Sequence, residues 1–358
     1  MYKLPRGPRG KDKVSVPSGE EFVYIDSKTP TSTPYWSIST HNIFKEGNAL
    51  ANTIAPITAK QKSNNITYAV YNDDPPYHHE DQKTSNGHTK GLFIFDHESG
   101  VWIIHSVPKF PYTLHKGIYV YPTNGRDNGQ NVLCVTFPTS QLETIGKMCR
   151  QVCCCDFTNT NATVVMNFLR TAFAATHLRL QYPNIYDSYA QASLRKTHPA
   201  LNLLLARKFI KSSPWVLTAS LKDVSHNAYV SFAKHGRYRR DVYSAVVDSN
   251  LESNLFASTW RNGEGGKVPA HCNETYTVSN VQAMRFQTSK KQQLDISNRE
   301  DHSKWAISEK TSKGYVCVGT LNRMRSQYER GGQTLCFKNA LLHKLLLRSV
   351  KDYEKCSI

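Results

Sequence analysis

Two short segments decide the reading: GHTKGLFIFDHESGVWIIHS at residues 87–106 and DHSKW at residues 301–305. The first sets His88 and Lys90 two apart, ahead of an apolar run, a turn-like DHESG and a second apolar run ending at His105. The pattern returns as His302 and Lys304, 214 residues further on (302 against 88). With no gap introduced, Gly100 falls on Gly314, Val101–Ile104 on Tyr315–Val318, and His105-Ser106 on Gly319-Thr320. One His-x-Lys is expected by chance in so basic a chain. Two in the same context at one offset indicate internal duplication.

Alternate residues of a strand point the same way, so each motif aims an imidazole and an ammonium in one direction. If the halves pack with approximate two-fold symmetry, both pairs meet. Two imidazoles and two ammonium groups repel unless an anion lies between them, and a phosphodiester fits. The lysines neutralise its oxygens, one imidazole attacks phosphorus and the other protonates the leaving oxygen. This chemistry calls for no cofactor. The plainer alternative makes each histidine a packing or surface residue; the aligned pair argues against it.

The rest of the chain sets bounds. Its 358 residues, 39% hydrophobic, suffice for one large domain or two fused halves. Lysine and arginine number 45 against 28 acidic residues, a net +17, which suits a polyanionic partner. Sparse carboxylates speak against a magnesium or calcium site, and no paired CxxC supports a zinc ribbon. No apolar run reaches membrane-spanning length. MYKLPRGPRGKDK lacks the apolar region of a signal peptide, so the protein is intracellular or its true start lies upstream. Sequons at Asn65, Asn161 and Asn273 permit glycosylation without requiring it.

Patterning predicts strands at 21–25, 68–71, 91–95, 101–105, 215–221 and 228–233. It predicts helices over roughly 41–60, 139–152, 163–175, 241–260 and 338–354. Residues 71–87 and 286–301 read as loops. The expected fold is α/β, with two pseudo-symmetric halves, 1–155 and 156–358, each a mixed sheet flanked by helices and joined near 156–162. His78-His79-Glu80-Asp81 reads as a solvated loop rather than a metal site. Arg237-Tyr238-Arg239-Arg240 and Lys290-Lys291 are either contacts to the backbone of a polyanion or ordinary basic surface.

The paired motif resembles the phospholipase D superfamily, and Gly319-Thr320-Leu321-Asn322 resembles its later Gly-Ser and Asn element. More closely, the chain is identified as a member of the deoxyribonuclease II family. The blocks YKLP, YNDDPP, GHTKG, HSVPKFP, DVYS, DHSKW, CVGTLNR and ERGGQTLC run from residue 2 to 336 in that family's order. The resemblance implies a phospholipase D-like fold and a lysosomal or secreted acid endonuclease. Such an enzyme cuts double-stranded DNA without a divalent metal and leaves 3′-phosphate and 5′-hydroxyl ends. It implies catalytic His88, Lys90, His302, Lys304 and His105, with His88 as nucleophile and His302 as general acid, roles that the repeat leaves interchangeable. Asn322 and Arg330 are candidate substrate contacts, although Arg330-Gly331-Gly332 also reads as a turn.

Departures from the family pattern are visible. Asp96 is one position late for HxKxxxxD, and Glu309 takes the aspartate's place in the second copy. The resemblance implies a Cys272–Cys336 disulfide. Ala306 stands where the family carries the partner of Cys317, which leaves Cys317 unpaired. Cys134 expects a partner upstream of residue 1, in keeping with a truncated start. A weakly active or inactive secreted DNA-binding effector of the same fold and a lipid phosphodiesterase are the other function classes. The assembly is a monomeric pseudo-dimer or a homo-oligomer.

Overall fold

A computed structural model describes residues 1–7, 17–61, 63–76, 87–112, 114, 116–152, 185–272 and 275–356. The expected join at 156–162, the helix over 163–175, the His78–Asp81 cluster, Asn161 and Asn273 lie outside the described residues. Among the described residues no helix is long and apolar enough to cross a membrane.

The fold is α/β, built on two sheets. The first contains β1 (Tyr2–Lys3), β2 (Phe22–Tyr24), β3 (Ser37–Ile38), β4 (Thr67–Asn72), β5 (Lys90–Phe95), β6 (Ser99–His105), β7 (Gln130–Pro138) and β8 (Ile185–Tyr189). The second contains β9 (Val216–Lys222), β10 (Ala228–Lys234), β11 (Leu255–Ser258), β12 (Val278–Gln287), β13 (Gln293–Ser297), β14 (Trp305–Ser308), β15 (Tyr315–Gly319), β16 (Gly332–Lys338) and β17 (Val350–Tyr353). Strand order is β3-β2-β1-β7-β6-β5-β4-β8 in the first and β9-β10-β16-β15-β14-β11-β12-β13 in the second, with β17 also on β12. The runs β7-β6-β5-β4 and β16-β15-β14-β11 occupy equivalent places and carry the two repeats. Strand β8 adds residues beyond 156–162 to the first sheet, pairing antiparallel with β4.

Alternation along the central strands explains their unbroken apolar character. On β5, Phe93 and Phe95 enter the core shared by both halves, while Leu92 and Ile94 face a separate core beneath the helix Ala49–Thr58. On β14, Trp305 and Ile307 enter the shared core and Ala306 the outer core of the second half. Both faces are buried, so both sets of positions are apolar. The helix Leu142–Val152 supplies Leu142, Ile145, Met148 and Val152 to the shared core and packs on β9, β10 and β16.

Three predicted elements differ. The helix expected over 241–260 is short: a π-helical turn at Tyr243–Val247 runs into Asp248–Leu251, and Glu252 at φ +50° ends it. LFAS then forms the buried strand β11. In the stretch read as a loop, β13 buries only Leu294 and Ile296 at the sheet edge, too few apolar residues for its period to show. The C-terminal helix, capped by the Asn339 side chain, ends at Ser349, and VKDY continues as β17.

The disulfide expectation is corrected. Cys336 bonds Cys317, and Cys272 bonds Cys356. Cys317 on β15 faces Ala306 on β14 and Cys336 on β16, the latter at a Cα–Cα distance of 4.0 Å. With alanine at 306, the cross-strand thiol available to Cys317 is Cys336. Cys134 and Cys149 are free.

The loop after β15 is held by a buried ion pair. Arg323 is fully buried, and its Nε donates to Asp241 Oδ2 at 3.0 Å. Its Nη1 donates to Val278 O at 3.2 Å and to Asn280 Oδ1 at 2.6 Å. Arg323→Met strands the Asp241 carboxylate in the core. It should destabilise the fold by about 3–5 kcal/mol in urea titration; a change under ~1 kcal/mol would contradict this account.

Candidate active site

The two His-x-Lys motifs lead into equivalent strands. Gly91 opposes Ile104, so Lys90 and His105 are the next pair at the end of the β5–β6 hairpin. Trp305 opposes Val318, so Lys304 and Gly319 form the matching pair, bonded from Gly319 N–H to Lys304 O at 2.9 Å. The halves exchange equivalent backbone bonds: His88 N–H donates to Gly331 O at 2.8 Å, and His302 N–H to Gly129 O at 2.9 Å. The flanking hydroxyls repeat the pattern. Ser106 Oγ accepts from Asn131 N–H at 3.0 Å, and Thr320 Oγ1 accepts from Gln333 N–H at 3.0 Å.

Both acceptor carbonyls belong to glycines for a steric reason. A Cβ on Gly331 would stand 2.0 Å from Val152 O, and one on Gly129 2.2 Å from Tyr2 Oη. Asn131 crosses to the second half, accepting from Lys304 N–H at 2.9 Å. Asp301, buried just before His302, accepts from Tyr2 Oη at 2.9 Å and Ser303 Oγ at 2.7 Å.

The half-sites share a scaffold and differ in what faces each imidazole. His88 donates Nδ1–H to Thr320 O across the interface, which leaves Nε2 as the lone-pair nitrogen. That Nε2 lies 3.9 Å from Asp73 Oδ2. Asp73 also accepts from Lys90 Nζ, and from Arg330 Nη2 at 3.0 Å. Asn72 opposes Lys90 and Ser258 opposes Trp305, so Trp260 is the second half's counterpart of Asp73. Its ring packs against His302 with centroids 4.8 Å apart. Lys304 Nζ donates to His302 O at 2.7 Å.

Electrostatics follow from burial beside like charge. Burial, reinforced by Lys304, Lys90 and Lys3, lowers the His302 pKa to about 3. Burial and Lys90 lower Lys304 to about 7. Burial takes His88 well below the ordinary histidine range; Asp73 opposes this, while Lys90, Arg330 and Lys304 add to it. Burial disfavours the Asp73 carboxylate, yet Lys90, His88 and Arg330 outweigh it and hold the group ionised, well below the usual range. These influences cross the interface, so both motifs belong to one site.

His88, Lys90, His302, Lys304 and Arg330 therefore converge. His105 stands beside Lys90 but is buried; its Nδ1 accepts from Val107 N–H at 3.2 Å and Phe110 meets it edge-on. Asn322 is buried two residues past Thr320, its backbone N–H bonded to Gln327 Oε1 at 2.8 Å. Asp96 is an exposed turn residue at the far end of the hairpin, accepting from the backbone of Glu98 and Ser99. The carboxylate at the site is Asp73, inside YNDDPP, a stretch read as loop. Its signal was the strand YAVY feeding directly into an acidic pair. Lys290 and Lys291 are exposed at the β12–β13 turn, and Asn65 is exposed before β4. No group of three or more His, Cys, Asp or Glu suited to a metal ion occurs among the described residues.

The family model of Deoxyribonuclease II matches residues 1–356. The chain belongs to the deoxyribonuclease II family. It is 31% identical over 357 residues to Plancitoxin-1 of Acanthaster planci, covering 100% of this chain and 88% of that protein. It is 30% identical over 368 residues to Deoxyribonuclease-2 of Caenorhabditis elegans, covering 96% and 87%. It is 29% identical over 357 residues to Deoxyribonuclease-2-alpha of Mus musculus, covering 99% and 89%.

The His302 shift has a testable sign. Its folded pKa of about 3 is below the unfolded value of about 6.5, so between these limits the unfolded chain binds more protons. The contribution to stability is complete above ~pH 6.5 and declines as pH falls toward 3. Thermal melts across that window should show a shallower acid loss for His302→Ala than for the wild type. Equal slopes would place the titration elsewhere.

Proposed function

We propose that this protein is an acid endonuclease hydrolysing double-stranded DNA through a histidine phosphoenzyme, with side chains rather than a divalent metal supplying the positive charge. The observation that carries this reading is the inequality of the two imidazoles. Thr320 fixes His88 with Nε2 as the lone pair, whereas His302 rests on Trp260. His88 is therefore the nucleophile and His302 the acid.

In the first step His88 Nε2 bonds to phosphorus, the P–O5′ bond breaks, and His302 gives its proton to the departing oxygen. Water then attacks phosphorus, the P–Nε2 bond breaks to release His88, and the water's proton passes to His302. The products carry 3′-phosphate and 5′-hydroxyl ends. Lys90, Lys304 and Arg330 balance charge on the phosphoryl oxygens in a partly desolvated site. His105, buried with its Nδ1 on the Val107 N–H, takes no part in the bond-making steps.

Acid dependence has a physical origin. A buried imidazole among cations stays neutral at pH 5, and an anionic diester cancels that field and favours the charged ring. The net charge of +17 adds a sequence-independent, salt-sensitive grip on the backbone. Two disulfides suit a secreted or lysosomal compartment.

Plasmid nicking at pH 5 in EDTA is the test. The wild type should cut, and His88→Ala and His302→Ala should each lose about 10²–10⁴-fold in rate. Absence of cutting by folded wild type would overturn the nuclease reading.

A further inference from the structure

Asp73 occupies the place that the proposed reaction reserves for phosphate. It accepts from Lys90, lies 3.0 Å from Arg330 Nη2 and faces His88 Nε2 at 3.9 Å, with its side chain 9% exposed. The His88 ring cannot turn away without giving up its bond to Thr320 O. A phosphodiester facing the same imidazole and cations comes within contact range of the Asp73 carboxylate, and two buried anions repel.

We propose that Asp73 is the resident counter-anion of the phosphate site and that a phosphodiester enters together with a proton taken up by Asp73. The proton comes from solvent, and the neutral carboxyl then donates a hydrogen bond to a phosphoryl oxygen. This rests on the phosphodiesterase reading above.

The groups facing Asp73 make the exchange possible. Lys90 comes from β5, His88 from its lead-in and Arg330 from the loop before β16; Lys304 and His105 act from further away. These cations keep a buried carboxylate ionised. A diester that claims them leaves burial as the dominant influence on Asp73, and burial favours the neutral acid. The second half has Trp260 at the equivalent position, and its buried Asp301 is engaged by Tyr2 and Ser303, so the carboxyl that faces the phosphate is Asp73. Asp73 thereby shapes substrate binding as a positioning residue, distinct from the imidazoles that make and break bonds.

The test is calorimetric binding of diethyl phosphate, a hydrolysis-resistant monoanion, at pH 5.5 in buffers of different ionisation enthalpy. Wild type, Asp73→Asn and His302→Asn are compared. The asparagine variant at 73 should take up about one proton fewer per diester than the wild type. His302→Asn should keep an uptake of about one proton, because the Asp73 share remains. Equal uptake by wild type and Asp73→Asn, or no uptake by His302→Asn, overturns the proposal and leaves the nuclease reading standing. No binding of diethyl phosphate to wild type removes both. If Asp73→Asn fails to fold, the His88→Asn/His302→Asn double variant decides: a retained uptake of about one proton supports Asp73, and no uptake overturns the proposal.

Discussion

The site depends on two backbone hydrogen bonds that the halves give each other. His88 N–H reaches Gly331 O, and His302 N–H reaches Gly129 O. Each motif is the lead-in to a strand, and its first residue has no partner in its own sheet for that N–H. The other half supplies the carbonyl, in a place too narrow for any side chain on the residue carrying it. A half on its own would leave these groups to water, and the first would also lose the Thr320 carbonyl that orients His88. The duplication is thus a mutual requirement of the two halves, reinforced by Asn131 on Lys304 and by Thr320 on His88.

On that symmetric frame the charges are distributed unequally. Register places Asp73 and Trp260 at equivalent positions after β4 and β11, so one imidazole faces a carboxylate and the other an aromatic ring. Lys90 has an acidic partner; Lys304 has the His302 carbonyl. Buried cations without counterions are costly. Asp73 answers Lys90 and Arg330, whereas Lys304 rests on a carbonyl, so the cationic excess lies on the side of Lys304.

Much of this was legible in the sequence because it is periodic or repeated. The gap-free offset placed Lys90 and Lys304 at matching strand positions, and in the structure each stands one residue before a matching cross-strand pair, Gly91–Ile104 and Trp305–Val318. The illegible parts are nonlocal. Asp73 joins Lys90 only because Asn72 pairs with Lys90 across strands, and Arg330 arrives from 257 residues away. The segment LFAS at 255–258 continues an apolar helical period, yet Glu252 turns the chain and the sheet claims it. The disulfide exchange was hidden for a like reason: which thiol Cys317 meets is set by strand neighbours, and Ala306 left it one.

The same inequality locates where acid acts on the free protein. In the first half, Asp73 already neutralises part of the charge and is held ionised far into the acid range, so moderate acidification leaves its pairing with Lys90 and Arg330 intact. In the second half, Lys304 near 7 and His302 near 3 form no ion pair among the described residues, and Asp301 and Asp73 act on Lys304 from further away. As pH falls, protons add first to Lys304 and then, against its charge, to His302. Positive charge therefore accumulates beside Trp260, on the imidazole assigned to protonate the leaving group. An aromatic ring where the other half carries a carboxylate makes the surroundings of the two imidazoles unequal on a duplicated scaffold, and the proposed division of roles rests on that inequality.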